Sequence, residues 1–461
     1  MRYRNLLLAA VSFGGLVSAT GAFAQAAPEA AVEEIVVTGT RAVRSRLETL
    51  APVDVIDTKS LTRQGNGVEL AQAMANLTPA INFPRPAITD GSDHVRPATL
   101  RGLAPDQTLV LINGVRGHVS AVVNVNGGIG RGSTSFDLNT IPTAALDRVE
   151  VLRDGAAAQY GADAIAGVIN LRLREARSGG SVTANWGIYN TDVDTARGPK
   201  RKAHDGLTES LSGWVGLPLG PEGFLTVSGE AAFRHATNRS DIADVAAIPA
   251  ANGQKVIGRF GDPDLTGGTI YANAGLPINE SWKIYGTAGY QQRKSDSAAT
   301  PRPYNDARNV PAIYPGGFLP IIGAEIKDYN TIGGLKGDAA GWDLDFNLSY
   351  GRNTLDYTVK NSLNATYGAA SQKTFDAGSL AYDQTIASAH ASRAYDMGNL
   401  AAGLEYRHEQ FEMTAGEPAS YNRATGAAAT LAGGSQGFPG FRPANAGSFN
   451  RHNWSAYVDV E

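Results

Sequence analysis

The sequence predicts a compact α+β domain followed by the strands of a transmembrane antiparallel β-barrel, about ten of them, so the barrel part is incomplete by itself. Three observations predict it. The N-terminus has the layout of a secretory signal, residues 52–174 alternate short strands with short helices, and residues 175–461 alternate apolar with polar side chains at period two. Composition leaves this class open and closes others. The 461 residues include no cysteine, so a disulfide scaffold or a thiolate metal site is excluded. A net charge of -4 argues against a general nucleic-acid binder. A bundle of membrane helices needs repeated apolar runs of about 20 residues, whereas barrel strands need only every second residue apolar.

At the start of the chain, Arg2 and Arg4 precede the apolar run Leu6 to Val17, and Ala22-Phe23-Ala24 supplies the small residues of a cleavage site. Residues 1–24 read as a signal peptide cut after Ala24, because the run falls short of the about 20 residues needed to anchor in a bilayer. The mature chain then begins at Gln25 outside the cytoplasm. Residues 25–51 form an Ala-, Pro- and Glu-containing linker holding Glu33, Glu34, Ile35, Val36, Val37, Thr38, Gly39, Thr40 and Arg41. This β-branched segment with charged flanks reads equally as an ordinary first strand or as a strand added to the sheet edge of a partner.

Residues 52–174 form the α+β domain. Val53, Val55 and Ile56 suggest a strand. Val68, Leu70, Ala71, Met74 and Leu77 recur at helical spacing until Pro79. Thr99 to Leu103 and Thr108 to Ile112 are strand candidates, the second closed by the tight-turn dipeptide Asn113-Gly114. Asp147 to Leu152 and Val168 to Leu173 follow.

In residues 175–461, Trp342, Leu344, Phe346, Leu348 and Tyr350 are apolar and the residues between them polar. That places one face in lipid and the other in an aqueous lumen. The same division runs through Val182 to Ile188, Leu225 to Phe233, Ile270 to Leu276, Trp282 to Tyr290, Leu400 to Tyr406 and Trp454 to Val460. Gly220 to Gly223, Pro277 to Glu280 and Gly337 to Gly341 read as tight turns. Asn190 to Gly206, His235 to Thr266, Lys294 to Lys327 and Thr414 to Asn450 read as long external loops. A water-soluble sandwich shows the same alternation, but the signal peptide and the aromatic residues at strand ends favour the membrane.

Four words in order carry a resemblance: Arg101-Gly102-Leu103, Leu109 to Gly114, Asp147 to Gly155 and Gln159 to Asn170. Together they resemble the plug domain of TonB-dependent outer-membrane receptors, and Glu33 to Arg41 then resembles that family's TonB box. The resemblance implies energy-coupled uptake of a bulky, scarce small-molecule nutrient such as a siderophore, cobalamin or oligosaccharide. It implies a location in the outer membrane, after export and insertion by the barrel assembly machinery. The implied partners are TonB, with ExbB and ExbD as its inner-membrane energy source, and outer-membrane lipid. No cofactor and no nucleic-acid partner is implied. The alternative is a passive porin or adhesin. A plugged barrel closes at about 22 strands, so the chain reads as part of a longer receptor. The space between Gln25 and Glu33 leaves no room for an extra signalling domain.

In that family plug arginines pair with barrel glutamates. Arg101 and Arg153 are the plug candidates by motif match, and Glu230 and Glu405 the barrel candidates by strand parity, although any of the four also reads as a solvated charge. Gly114 to Ser135 resembles a plug loop rising to the outside, with Arg116, His118 and Arg131 as substrate-contact candidates. Its glycine run lacks the strand, helix and lysine of a phosphate-binding loop. The seven histidines form no ligand-spaced pair, so no metal site is expected, and no catalytic motif is present, so the chain is not read as an enzyme.

Overall fold

The computed structural model describes residues 53–64, 69–126, 128–153, 160–242, 256–396 and 398–460. The signal peptide and the TonB-box segment Glu33 to Gly39 lie outside the described residues.

The N-terminal domain is built on a five-stranded sheet. Its strands are β1 (Val53–Asp57), β4 (Thr108–Ile112), β5 (Val115–Arg116), β6 (Leu146–Leu152) and β7 (Gly167–Leu173), in the order β1-β6-β7-β4-β5. β4 and β7 run parallel and the other pairs antiparallel. Every residue of β4 is buried, as expected of a strand covered on both faces. Asn113 (φ 50°) and Gly114 (φ 89°) turn β4 into β5, both in the left-handed region that a two-residue hairpin demands. A second small ladder joins β2 (Ile81–Asn82) to β3 (Thr99–Leu100). The predicted strand Thr99 to Leu103 is cut short because Arg101 and Gly102 take φ 57° and 75° and turn the chain away. Two helices, α1 (Thr58–Gln64) and α2 (Leu70–Leu77), cover the sheet, with Leu61, Leu70, Ala73 and Met74 buried against Val149, Val151, Ile169 and Leu171.

Ten antiparallel strands follow, each paired with its sequence neighbours: β8 (Gly180–Val193), β9 (Arg201–Leu219), β10 (Gly223–Arg234), β11 (Asp264–Pro277), β12 (Trp282–Ala298), β13 (Ile321–Ala339), β14 (Trp342–Lys360), β15 (Phe375–Tyr395), β16 (Gly398–Ala415) and β17 (Gly447–Val460). This is the up-and-down meander of a barrel wall, with β8 and β17 at its two edges among the described residues. Parity decides the faces. Val182, Trp186, Ile270, Phe346, Leu348 and Leu404 are exposed on the outer face, while Asn347, Ser349, Asn353 and Ser228 are buried toward the N-terminal domain.

The strands run further than alternation alone predicts. β15 has 21 residues, against the about 9–11 a tilted strand needs to cross a bilayer. The predicted loop Asn190 to Gly206 is therefore mostly strand, and β8 and β9 are joined by residues 194–200 only. Above the apolar band both faces are polar, so the alternation fades while the backbone ladder continues: Asn190 still opposes His204 and Thr191 opposes Ala203. The described residues of the connections 235–263, 299–320, 361–374 and 416–446 lie at one rim, and the tight turns 220–222, 278–281 and 340–341 at the other.

In lipid, Leu348→Arg is expected to destabilise the wall by about 2–4 kcal/mol, since the side chain sits on the outer face near mid-strand. Asn347→Gln, on the opposite face, is expected to cost far less. Urea unfolding in lipid vesicles measures both.

Candidate functional site

The interface between the N-terminal domain and the barrel wall is where the charged side chains of both converge. On the wall made by β10 to β12 the centre is Glu69, the residue preceding α2. Its backbone begins the helix by accepting from the Gln72 and Ala73 amides, but its carboxylate does not cap. Instead Oε1 accepts from Arg96 Nε (3.0 Å) and from Arg234 Nη1 of β10 (2.7 Å), and Oε2 from Arg85 Nη2 (3.1 Å). Arg85 also forks onto Asp262 of the barrel, at 3.1 and 2.7 Å, and Arg96 reaches the same carboxylate at 3.3 Å. Burial pushes the Glu69 carboxyl up, yet the guanidinium groups of Arg96, Arg234 and Arg85 outweigh it and hold Glu69 far below the usual carboxylate range. Nearby, buried Asp137 accepts from the buried Arg293 of β12, whose Nη2 also donates to the His94 carbonyl at 3.0 Å.

A second contact zone lies on β13 and β14. His118 of the N-terminal domain pairs with Asp328 at 2.9 Å, and Asn353 links the two parts by donating to Asp328 at 2.8 Å and accepting from the Ala121 amide at 2.9 Å. Gly351 has no side chain because His118 lies against it: a β-carbon there would sit 2.7 Å from His118 Cβ.

On β15 to β17 a third network forms. Arg116 Nη1 donates to Asp163 at 2.7 Å, Arg407 Nη1 of β16 donates to the same oxygen at 3.0 Å, and Glu405 lies 3.7 Å from Arg116 Nε. Glu409 then joins Arg451 at 2.6 Å and Tyr382 at 2.5 Å. Burial raises the Asp163 carboxyl, but Arg116 and Arg407 hold it below its ordinary value. Burial lowers Arg116, with Glu405 pulling the other way. A guanidinium is basic enough that this lowering leaves Arg116 cationic at neutral pH.

The predicted residues are thus redistributed. Glu405 does meet an arginine of the other domain, but that arginine is Arg116. Arg153 pairs with Asp54 at 3.0 Å, inside its own domain, and Arg101 donates to the Arg153 carbonyl at 3.0 Å. The reason is the left-handed turn at Arg101-Gly102, which keeps that side chain at the end of its own sheet. Glu230 faces inward and lines, with Glu69 and Arg293, a cavity of about 30 Å³, large enough to hold water. Arg116 is half-buried and His118 buried against the wall rather than raised to the outside. Arg131 is exposed on the loop whose stem is tied by Ser120 to Ser135 and Asn124 to Ser133.

Glu69, Arg85, Arg96, Arg234, Asp137 and Arg293 were not singled out from sequence. One signal was present at Glu69, an acidic residue heading a helix whose inward residues are all apolar. Among the described residues no group of three or more His, Asp or Glu side chains is arranged to hold a metal ion. At the long-loop rim Val95 and Val122 pack with Tyr357 and Phe375, and Phe438 and Phe441 of the 416–446 connection close over them.

Comparison with known proteins agrees with this geometry. Residues 45–168 match the family model described as the TonB-dependent receptor plug domain. Among solved structures the chain is similar to a mutant form of the ferric enterobactin receptor PfeA from Pseudomonas aeruginosa, with 18% identity over 89% of this chain and 55% of that one, TM-score 0.57. It is similar to the siderophore receptor PirA from Acinetobacter baumannii, with 16% identity over 88% and 54%, TM-score 0.57. It also matches the copper transporter OprC, with 12% identity over 88% and 59%, TM-score 0.53. The chain spans a little over half the length of these structures. Residues 45–168 thus match the plug-domain model, and the chain shares the fold of these structures, a small α+β domain set against an antiparallel barrel wall.

Proposed function

We propose that the chain serves TonB-dependent uptake across the bacterial outer membrane, the plug blocking the barrel until it is displaced by an energy input. The observation that carries this reading is the plug–barrel interface itself. Largely buried ion pairs and hydrogen bonds hold the plug against three separate stretches of wall, at Glu69, His118 and Arg116. A passive pore gains nothing from such an obstruction. A gated importer requires one that is firm at rest and composed of interactions that water and displacement can dissolve, which ion pairs are and an apolar weld is not.

Energy coupling through Glu33 to Gly39 fits the rest of the reading. An extended β-branched segment offers backbone hydrogen bonds to a partner's sheet edge, as TonB recognition requires, with ExbB and ExbD supplying the inner-membrane drive. The cargo is a small molecule bound from the long-loop side. The similar structures include siderophore receptors and a copper transporter, so a metal complex is one cargo class to test first. Deleting residues 33–41 from the receptor is expected to abolish uptake while surface binding of the cargo persists. Uptake that continues undiminished in the deletion strain is the result that overturns the reading.

A further inference from the structure

Two cavities lie one above the other between the plug and the wall formed by β13 to β17. The upper, about 400 Å³, is bounded by Asp106, Thr134 and Ser135 of the plug and by Gln384, Glu409 and Arg451 of the wall. The lower, about 300 Å³, is bounded by Asn170 and Arg172 of the plug and by Lys336, Asp345 and His390 of the wall. The strand register fixes their order. β15 lines the upper cavity at Tyr382 and Gln384 and the lower one from Ile386 to Ser392, and it ends at Tyr395 on the tight-turn rim. β16 lines the lower cavity at Ala401 and Glu405 and the upper one at Arg407 and Glu409. The upper cavity is therefore on the long-loop side and the lower one on the tight-turn side.

Arg116 lines both. The layer between the cavities is Arg116 and Asp163 from the plug with Glu405 and Arg407 from the wall, joined by contacts of 2.7, 3.0 and 3.7 Å. Glu405 and Arg407 are two residues apart on one strand and so share a face, while both of their opposing partners belong to the plug. A plug displacement of a few ångströms parts the two contacts that cross from plug to wall, Arg407 with Asp163 and Arg116 with Glu405, at once. The packing of the layer is not saturated, since Arg116 Nε and Arg407 Nε make no hydrogen bond among the described residues. The opposite wall differs. Around Glu69 some guanidinium nitrogens of Arg234 and Arg293 also lack a hydrogen bond among the described residues, but the two cavities that Glu69 lines hold only about 70 and 30 Å³.

We infer that the two cavities are a single polar passage along the β13 to β17 wall, closed by the Arg116, Asp163, Glu405 and Arg407 layer, and that hydrophilic solutes cross there when the layer parts. The solute class follows from the lining. Charged, amide and hydroxyl groups on both sides replace the hydration of an ion or a hydroxyl-rich molecule and offer nothing to an apolar one. Two charges of each sign in the layer make it neutral overall, so removing one sign leaves the passage with a fixed charge of the other.

That property gives the test, which rests on the barrel reading proposed above. The receptor is reconstituted into planar lipid bilayers after flotation with vesicles has established insertion. Arg116→Ala combined with Arg407→Ala is expected to raise ion conductance several-fold with a preference for cations. Asp163→Asn combined with Glu405→Gln is expected to raise it with a preference for anions. Protease resistance of the plug, compared with wild type, establishes that it stays seated. Unchanged conductance in both double variants, or the same ion preference in both, overturns the passage. Failure to float with vesicles overturns the barrel reading instead.

Discussion

Glu69→Gln is expected to loosen the plug more than any other single isosteric change at the interface. The substitution removes the one carboxylate shared by Arg85, Arg96 and Arg234, of which Arg96 and Arg234 are buried. Asp262 remains, but it faces only Arg85 and Arg96 within bonding distance. Breaking a buried pair by deleting one partner costs about 3–5 kcal/mol, because the remaining charge stays out of water without compensation. By contrast, the pair of Lys200 with Asp194 is exposed and screened by water, so its loss does not touch the plug. Hydrogen exchange at the backbone of α2 and of residues 92–100 is the measurement. Protection there should fall in Glu69→Gln and stay unchanged in Asp194→Asn.

The same residue sets a pH window. A carboxyl held below its ordinary value of 4.5 in the folded chain contributes stability that is fully present above that value and is lost as pH falls toward the depressed one. Wild type should therefore keep its plug seated at pH 5 and lose protection progressively in the range below about 4.5, the usual carboxyl value. The Gln variant, with no proton to take up, should have a shallower dependence over that range. A variant curve parallel to wild type would remove Glu69 from the account of acid stability.

The second large effect is a covalent one. The chain has no cysteine, so an introduced pair can form only the intended bridge. His118→Cys with Gly351→Cys places one thiol on the plug and one on β14, where the two β-carbons would stand 2.7 Å apart. An ordinary disulfide has them about 3.8 Å apart, so the backbones must separate by roughly 1 Å. Under oxidising conditions this bridge is expected to abolish uptake, with recovery after reduction, while cargo binding at the long-loop rim is retained. Uptake that survives complete oxidation would mean that the plug need not move away from β14. The variant also loses the pair of His118 with Asp328, so the reduced form is the proper reference.

Much of the architecture is legible in the residues because period-two alternation is imposed wherever one face meets lipid. Trp342 to Tyr350 announces both its strand and its lumen side, and Asn113-Gly114 announces its hairpin. The interface is less legible. Strand parity shows that Glu405 faces the plug, but pairing depends on where a separately folded domain sits, and no local pattern encodes that. Arg153 and Arg101 stand in a recognisable motif, yet the motif serves the plug's own sheet end. Arg234 and Asp262 flank a long connection and look like solvated loop charges until the fold brings them to Glu69. The polarity on that wall is also the reverse of the expected one, with plug acids Glu69 and Asp137 meeting barrel arginines Arg234 and Arg293. Charge complementarity can be satisfied either way round, so a family resemblance in the motif leaves the sign undetermined.

The position of β1 has a mechanical meaning. Among the described residues it is an outermost strand of the plug sheet, bonded on one side only, to β6. Tension applied through the segment that precedes Val53 would load this five-residue strand before any other described element. Once it peels, the load passes down α1, and the next firm anchor along the chain is Glu69, gripped at its side chain by the wall. The fold thus arranges its resistances in series, with a weak link first and a strong one about a dozen residues later. A brief tug would be absorbed and reversed by β1 re-pairing, while a sustained one would reach the Glu69 anchor. The plug would then respond to how long it is pulled as well as to how hard.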